Sequence, residues 1–225
     1  MSGTHNADND QHVDEGGALD PRAAAQMIEQ TALRARRQFE TASPLAALLG
    51  AGVFLFGYGA VWLSVRDQHV YTGPAGWSVA LLYGLIVVAA IVGTAAARRA
   101  STGVGGRARR QMRAQAAATV AAGVGAWMVQ GALRYLGVSF QIVYGVYGPT
   151  VPLIALAATG AGYAAAREKW PELGLAIAII AIAAASTFFG PLGAWGLTGV
   201  GCAVALVVYA AAVTVRLRRP IPAGA

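Results

Sequence analysis

Charge is what this chain has least of. Only 12% of its 225 residues are Asp, Glu, Lys or Arg, about half the share of an ordinary soluble domain. No Asp, Glu, Lys or His falls within residues 44–65, 77–97, 114–133, 149–166, 173–189 or 192–215. Proton-coupled carriers place ionisable groups at membrane depth, so that mode is disfavoured. An intramembrane metalloprotease needs His and acid ligands in the same runs, and they are missing. Nucleophilic chemistry at Ser186 or Thr187 would need a neighbouring base or paired acid, and neither residue has one. These absences argue against an enzyme. The single cysteine, Cys202, excludes an internal disulfide and any multi-cysteine metal site. Among Gly and Ala it reads as a packed small residue. No metal or cofactor is expected. The opening residues lack a basic segment followed by an apolar one, so no cleavable signal peptide is expected. Thr102 to Arg107, TGVGGR, lacks the GKS or GKT ending and a preceding strand, which makes it a flexible linker rather than a phosphate loop.

What the chain has in plenty is apolar sequence, 56% of the total. Crossing the hydrocarbon as a helix takes about 20 apolar residues, and the runs named above are of that order. The expected fold class is all-α, a polytopic membrane bundle of six transmembrane helices over 44–215. Val138 to Tyr147, between the third and fourth spans, reads as a short segment at the outer surface. Residues 1–19 read as a disordered cytoplasmic tail, with His5 and His12 solvated in it. Asp20-Pro21 is an N-cap and first-turn proline, opening a helix over 20–40. Ile28, Ala32, Ala35 and Phe39 form its apolar stripe, so it is amphipathic and lies on the cytoplasmic surface. Residues 216–225 form a second cytoplasmic tail.

Sidedness follows from one stretch. Arg98 to Arg113 carries six arginines and no acid, and such loops stay cytoplasmic. Six spans then put both termini inside, with 15 of the 17 Lys and Arg inside and only Arg66 and Arg134 outside. The localisation implied is the bacterial cytoplasmic membrane, multi-pass. The net charge of +7 accordingly points to anionic headgroups rather than nucleic acid. Candidate residues for contact with lipid or a cytoplasmic protein partner are Arg34, Arg36, Arg37, Arg98, Arg99, Arg107, Arg109, Arg110 and Arg113. Small residues share helix faces, Ala158, Gly162 and Ala166 on one and Gly199 and Ala203 on another, which permits close helix packing and also a homodimer. The matched strings Gly93 to Arg98 (GTAAAR) and Gly162 to Arg167 (GYAAAR) hint at a repeated hairpin.

One polar and aromatic cluster remains, on the outer side. Gln130 and Arg134 lie one helical turn apart, Tyr135 follows, and Gln141, Tyr144 and Tyr147 come next in the glycine-broken segment. An arginine ringed by tyrosines suits an anionic or amphipathic ligand; an interfacial aromatic belt is the plainer account of the same residues.

Four features occur together: the helix DPRAAAQMIEQTALRARRQFE, the loop GVGGRARRQ, the aromatic break ending in proline before span 4, and the turn FFGPLGAWGLTGVG. In these the chain resembles uncharacterised six-span integral membrane proteins of high-GC actinobacteria. Those are often labelled transporter or permease and are often associated with a small transcriptional regulator. The resemblance implies a fold and a location and transfers no catalytic residue. Two functions are therefore expected. One is a non-enzymatic, transporter- or permease-like protein handling a small or amphipathic molecule through the outer Arg/Tyr cluster. The other is a membrane-anchored sensor or accessory protein acting through the N-terminal helix and the Arg98–Arg113 loop.

Overall fold

Proline at a first helical turn costs no hydrogen bond, and Pro44 opens the first helix that the computed structural model describes. The structure describes residues 44–100 and 107–218, all within one unit, Ala42–Ala225. The expected helix at 20–40 with Arg34, Arg36 and Arg37, the tail 1–19 and the last residues lie outside them. Among the described residues every regular element is helical. Helix α1 is Pro44–Val65, α2 Gly76–Ala100, α3 Arg107–Tyr135, α4 Gln141–Ala166, α5 Trp170–Ser186 and α6 Gly190–Arg218.

Two of these helices are not uniform. In α1 the turns Val53–Tyr58 are wide, of π type, and in α4 so are the turns Gln141–Tyr147. The segment expected at the surface is thus the start of α4, with Val143 and Gly145 buried. Its sequence hides this because glycine and aromatics read as a break, whereas here they widen a helix without ending it.

Helix ends follow local chemistry. α3 stops at Gly137, whose φ is +80°. Gly137 N–H donates to Arg134 O at 3.1 Å and Val138 N–H to Leu133 O at 3.1 Å, the paired bonds of a glycine C-cap. α4 ends in the same way at Glu168, with φ +55° and Lys169 N–H donating to Ala164 O at 2.9 Å. Pro171 is in the first turn of α5. α5 gives way to one tight turn, Thr187–Phe189, and Gly190 at φ +71° reverses the chain.

Five helical stretches are long and apolar enough to cross a membrane. The last of them, Trp170–Arg216, has 47 residues and takes in α5 and all but the end of α6, which fold back on one another at Gly190. Ser186 bonds Thr198 at 2.7 Å in the buried interior, and Ile182 lies against Gly201, so residues pair in descending and ascending order as in an antiparallel hairpin.

α6 is the centre of the bundle. It packs on α1, α5 and the wide turns of α4. At one end Ala47 and Ala51 of α1 meet Ala203, Leu206 and Ala210, with Leu175 of α5 and Tyr209 beside them. Farther along, Tyr58, Val61 and Val65 meet Leu82 and Trp195. α2 packs on α1 and α3 on α4. The remaining sides of these two helices expose Leu81, Ile86, Val87 and Ile91, and Val120, Val124, Trp127 and Met128. An apolar face of that extent is unfavourable in water and is what a lipid-facing helix presents.

Candidate functional site

Wide helical turns leave carbonyls poorly paired, and proline removes donors outright. At the start of α4 both occur. With Pro149 lacking an N–H, the Tyr144 carbonyl loses the donor five residues on, and Trp195 Nε1 of α6 donates to it instead at 3.2 Å. The Val143 carbonyl accepts Gly148 N–H and also Gln130 Nε2 of α3 at 3.2 Å. Tyr147 Oη donates to Ala126 O of α3 at 2.8 Å. Tyr58 Oη, from the wide turns of α1, donates to Pro149 O at 3.2 Å in the buried interior. The rings of Tyr58 and Trp195 lie 5.3 Å apart. Side chains from three other helices thus fasten one loosened segment.

Close approach is secured by glycine. A Cβ at Gly145 would lie 2.5 Å from Pro191 Cβ, and one at Gly199 would lie 2.7 Å from Tyr58 Cβ. Gly196 faces Trp62 in the same manner. The GAWGLTG string of α6 is therefore the surface on which both wide segments rest.

Above this seam stands Arg134. Its guanidinium lies 5.0 Å from the centre of the Phe140 ring, and Phe140 stacks on Tyr144 at 4.3 Å. Arg134 is exposed. The ion pairs among the described residues are Arg66–Asp67 and Lys169–Glu172, so Arg134 has no carboxylate partner there. Gly73, whose φ is +99°, lies against the edge of the Phe140 ring. Gln68 pins the Gly73 loop, donating to Gly73 O at 2.9 Å and Ser64 O at 3.1 Å while accepting Thr72 N–H at 2.9 Å. Tyr71 in this loop packs against the Tyr58–Trp195 cluster. Burial raises its phenol pKa, and the nearby Trp195 indole opposes this only in part. That indole N–H is directed to Tyr144 O, and the Tyr71 hydroxyl is buried without a hydrogen bond of good geometry among the described residues.

The six residues expected to form the cluster fall into three pairs. Arg134 and Tyr144 are joined through Phe140, and Gln130 and Tyr147 are turned inward onto backbone carbonyls. Tyr135 is 92% exposed and Gln141 is exposed; among the described residues neither joins the contacts around Arg134. Phe140, Tyr58 and Trp195 were not expected. For Trp195 the signal was legible, since the FFGPLGAWGLTGVG turn places a tryptophan between two glycines. Among the arginine candidates, Arg98, Arg99, Arg107 and Arg109 have helical backbone, and Arg110 and Arg113 are exposed at the start of α3. Among the described residues there is no cluster of His, Cys, Asp and Glu able to hold a metal.

A concavity lies at the opposite end of α3, between it and α4. Gln111, Ala114, Gln115, Ala118, Thr159, Tyr163, Ala166 and Arg167 line a space of about 360 Å³. No family model matches this chain, and no curated protein or solved structure does either.

Proposed function

We propose that this is a six-span, non-enzymatic integral membrane protein of transporter or permease type, which takes up a small anionic or amphipathic molecule at Arg134. The fifth and sixth crossings are α5 and α6, and both termini are cytoplasmic. The observation that carries the reading is the exposed Arg134 guanidinium on the Phe140–Tyr144 stack, with no carboxylate partner among the described residues. A cation without a counter-ion beside aromatic faces suits an acid group carrying an apolar body. The same stack is continuous with wide turns of α4, and such turns recur at functional sites. A ligand on Phe140 would act directly on the segment that Gln130, Tyr147, Trp195 and Tyr58 fasten.

The test is ligand-induced thermal stabilisation of the purified protein against lipids, cationic drugs and anionic metabolites, since binding raises apparent stability by mass action. An anionic or amphipathic compound should stabilise wild type and lose most of that effect in Arg134→Ala, with the variant inserting normally. Equal stabilisation of both proteins sinks the assignment. A second reading, a sensor or accessory protein, draws on Arg110 and Arg113, which α3 carries exposed beyond the apolar run. It predicts that deleting residues 20–40 abolishes partner recovery.

A further inference from the structure

We propose that the groove between α3 and α4 at the arginine-rich end seats the phosphate of an anionic phospholipid. The inference rests on the membrane reading above but not on Arg134, which is at the other end of α3. At its centre is Arg167, whose Nη2 donates to Gln111 Oε1 at 2.8 Å and whose guanidinium lies 4.8 Å from the centre of the Tyr163 ring. Those two contacts hold the planar group at the mouth of the groove and occupy one of its five N–H donors. Among the described residues no carboxylate pairs with it; the neighbouring Lys169 pairs with Glu172 at 3.9 Å. The side-chain amide of Gln115, also lining the groove, has no hydrogen-bond partner among the described residues. A fixed guanidinium beside an uncommitted amide donor matches the oxygens of a phosphodiester.

The surroundings favour a lipid source over a soluble one. Ala114, Ala118, Ala166 and Thr159 form the rest of the lining; the Thr159 hydroxyl donates to Ala155 O at 2.8 Å, so the bed left for a glycerol backbone and chain is largely apolar, and the exposed apolar side of α3 continues beyond it. Arg110 and Arg113 are exposed nearby on α3, and the stretch Arg98 to Arg113 holds no acid. Local positive potential therefore concentrates anionic headgroups at this end, and basic pockets between membrane helices recognise such lipids.

The test titrates purified full-length protein in mild detergent with short-chain phosphatidylglycerol, phosphatidylcholine or inorganic phosphate. It reads thermal stabilisation together with the number of lipids retained in native mass spectrometry. Phosphatidylglycerol should stabilise wild type, and phosphatidylcholine and inorganic phosphate should not. Arg167→Ala should weaken phosphatidylglycerol binding about tenfold, as expected for loss of a charge-assisted contact. Arg167→Lys and Gln115→Leu should each weaken it less, and both remain informative where Arg167→Ala folds poorly. An unchanged titration in these variants overturns the proposal. So does an equal loss in the double variant Arg110→Ala/Arg113→Ala, which would show diffuse surface attraction. Stabilisation of wild type by inorganic phosphate through Arg167 would assign the groove to a soluble phosphate and overturn the lipid source. In an Arg134→Ala background Arg167→Ala should still remove its own share of the phosphatidylglycerol binding, so failure here and failure of the Arg134 assignment are separate results.

Discussion

Tyr71 shows how one atom sets a measurable property. Its hydroxyl is buried without a well-formed hydrogen bond among the described residues, and leaving a donor unmade costs about 1–3 kcal/mol. Replacing it with Phe keeps the ring against Tyr58 and Trp195 and removes the cost. Tyr71→Phe should therefore raise stability by about 1 kcal/mol, read as a higher melting temperature in detergent. The pH dependence has a defined sign. Because the folded-state pKa is raised, the folded protein keeps this proton where the unfolded chain loses it. The contribution is intact below the ordinary tyrosine pKa of about 10 and is lost as pH rises through the folded value. Between pH 9 and pH 11 the variant should lose less melting temperature than wild type, and an equal loss would show that the phenol is not desolvated. Arg134 poses the converse case. It is exposed, so removing it should leave stability within about 0.5 kcal/mol, and only ligand binding should report the change.

At the scale of elements, the wide turns are held by what the neighbouring helices lack. Gly145→Ala would drive a methyl into Pro191, where the backbone Cα is only 3.2 Å from the new Cβ. Overpacking of this kind costs about 1–3 kcal/mol. Gly84→Ala, with nothing within 4 Å, should be neutral or slightly stabilising in its helix. Paired melting measurements of the two variants would separate packing from helix propensity, and equal behaviour would refute the close contact with α6. Gly73 is subject to two constraints, a positive φ and the Phe140 ring against it. Gly73→Ala should therefore displace Phe140 from beneath Arg134. Its expected signature is a loss of ligand stabilisation approaching that of Arg134→Ala, although residue 73 carries no charge.

At the scale of the whole molecule, the arrangement turns on whether Gly190 divides two crossings. The φ of +71° there and the packing of α5 on α6 make a hairpin of a helical stretch whose 47 residues would extend about 70 Å if straight, more than twice the hydrocarbon thickness. With six crossings both termini lie on one side. Alkaline phosphatase fused to either terminus should be inactive, and green fluorescent protein at either should be fluorescent. Opposite behaviour of the two ends would leave five crossings and displace the proposed sidedness. Cys202, fully buried in α6, should resist maleimides in the intact bundle and react after denaturation.

Length and hydropathy carry the helices by themselves. A run such as Pro44–Val65 has no lower-energy form in hydrocarbon than one in which every backbone group bonds within its own segment, so its existence and approximate limits need only local sequence. The expectation that the arginines of 98–113 lie on the cytoplasmic side likewise rests on charge alone. The candidate site obeys different physics. Arg134 could be singled out because a lone cation next to tyrosines is unusual in so apolar a chain. Which ring it would use depended on where the loop at Gly73 placed Phe140. The inward turn of Gln130 and Tyr147 depended on carbonyls freed by wide turns and by Pro149, and no periodicity marks those turns. The groove at Arg167 joins residues 56 apart in sequence, and only the packing of α3 on α4 brings them together. Local sequence therefore determined the helices and the placement of charge. Tertiary structure decided which polar groups are committed to holding the bundle and which, among the described residues, are left uncommitted, because that depends on close approach between helices distant in sequence.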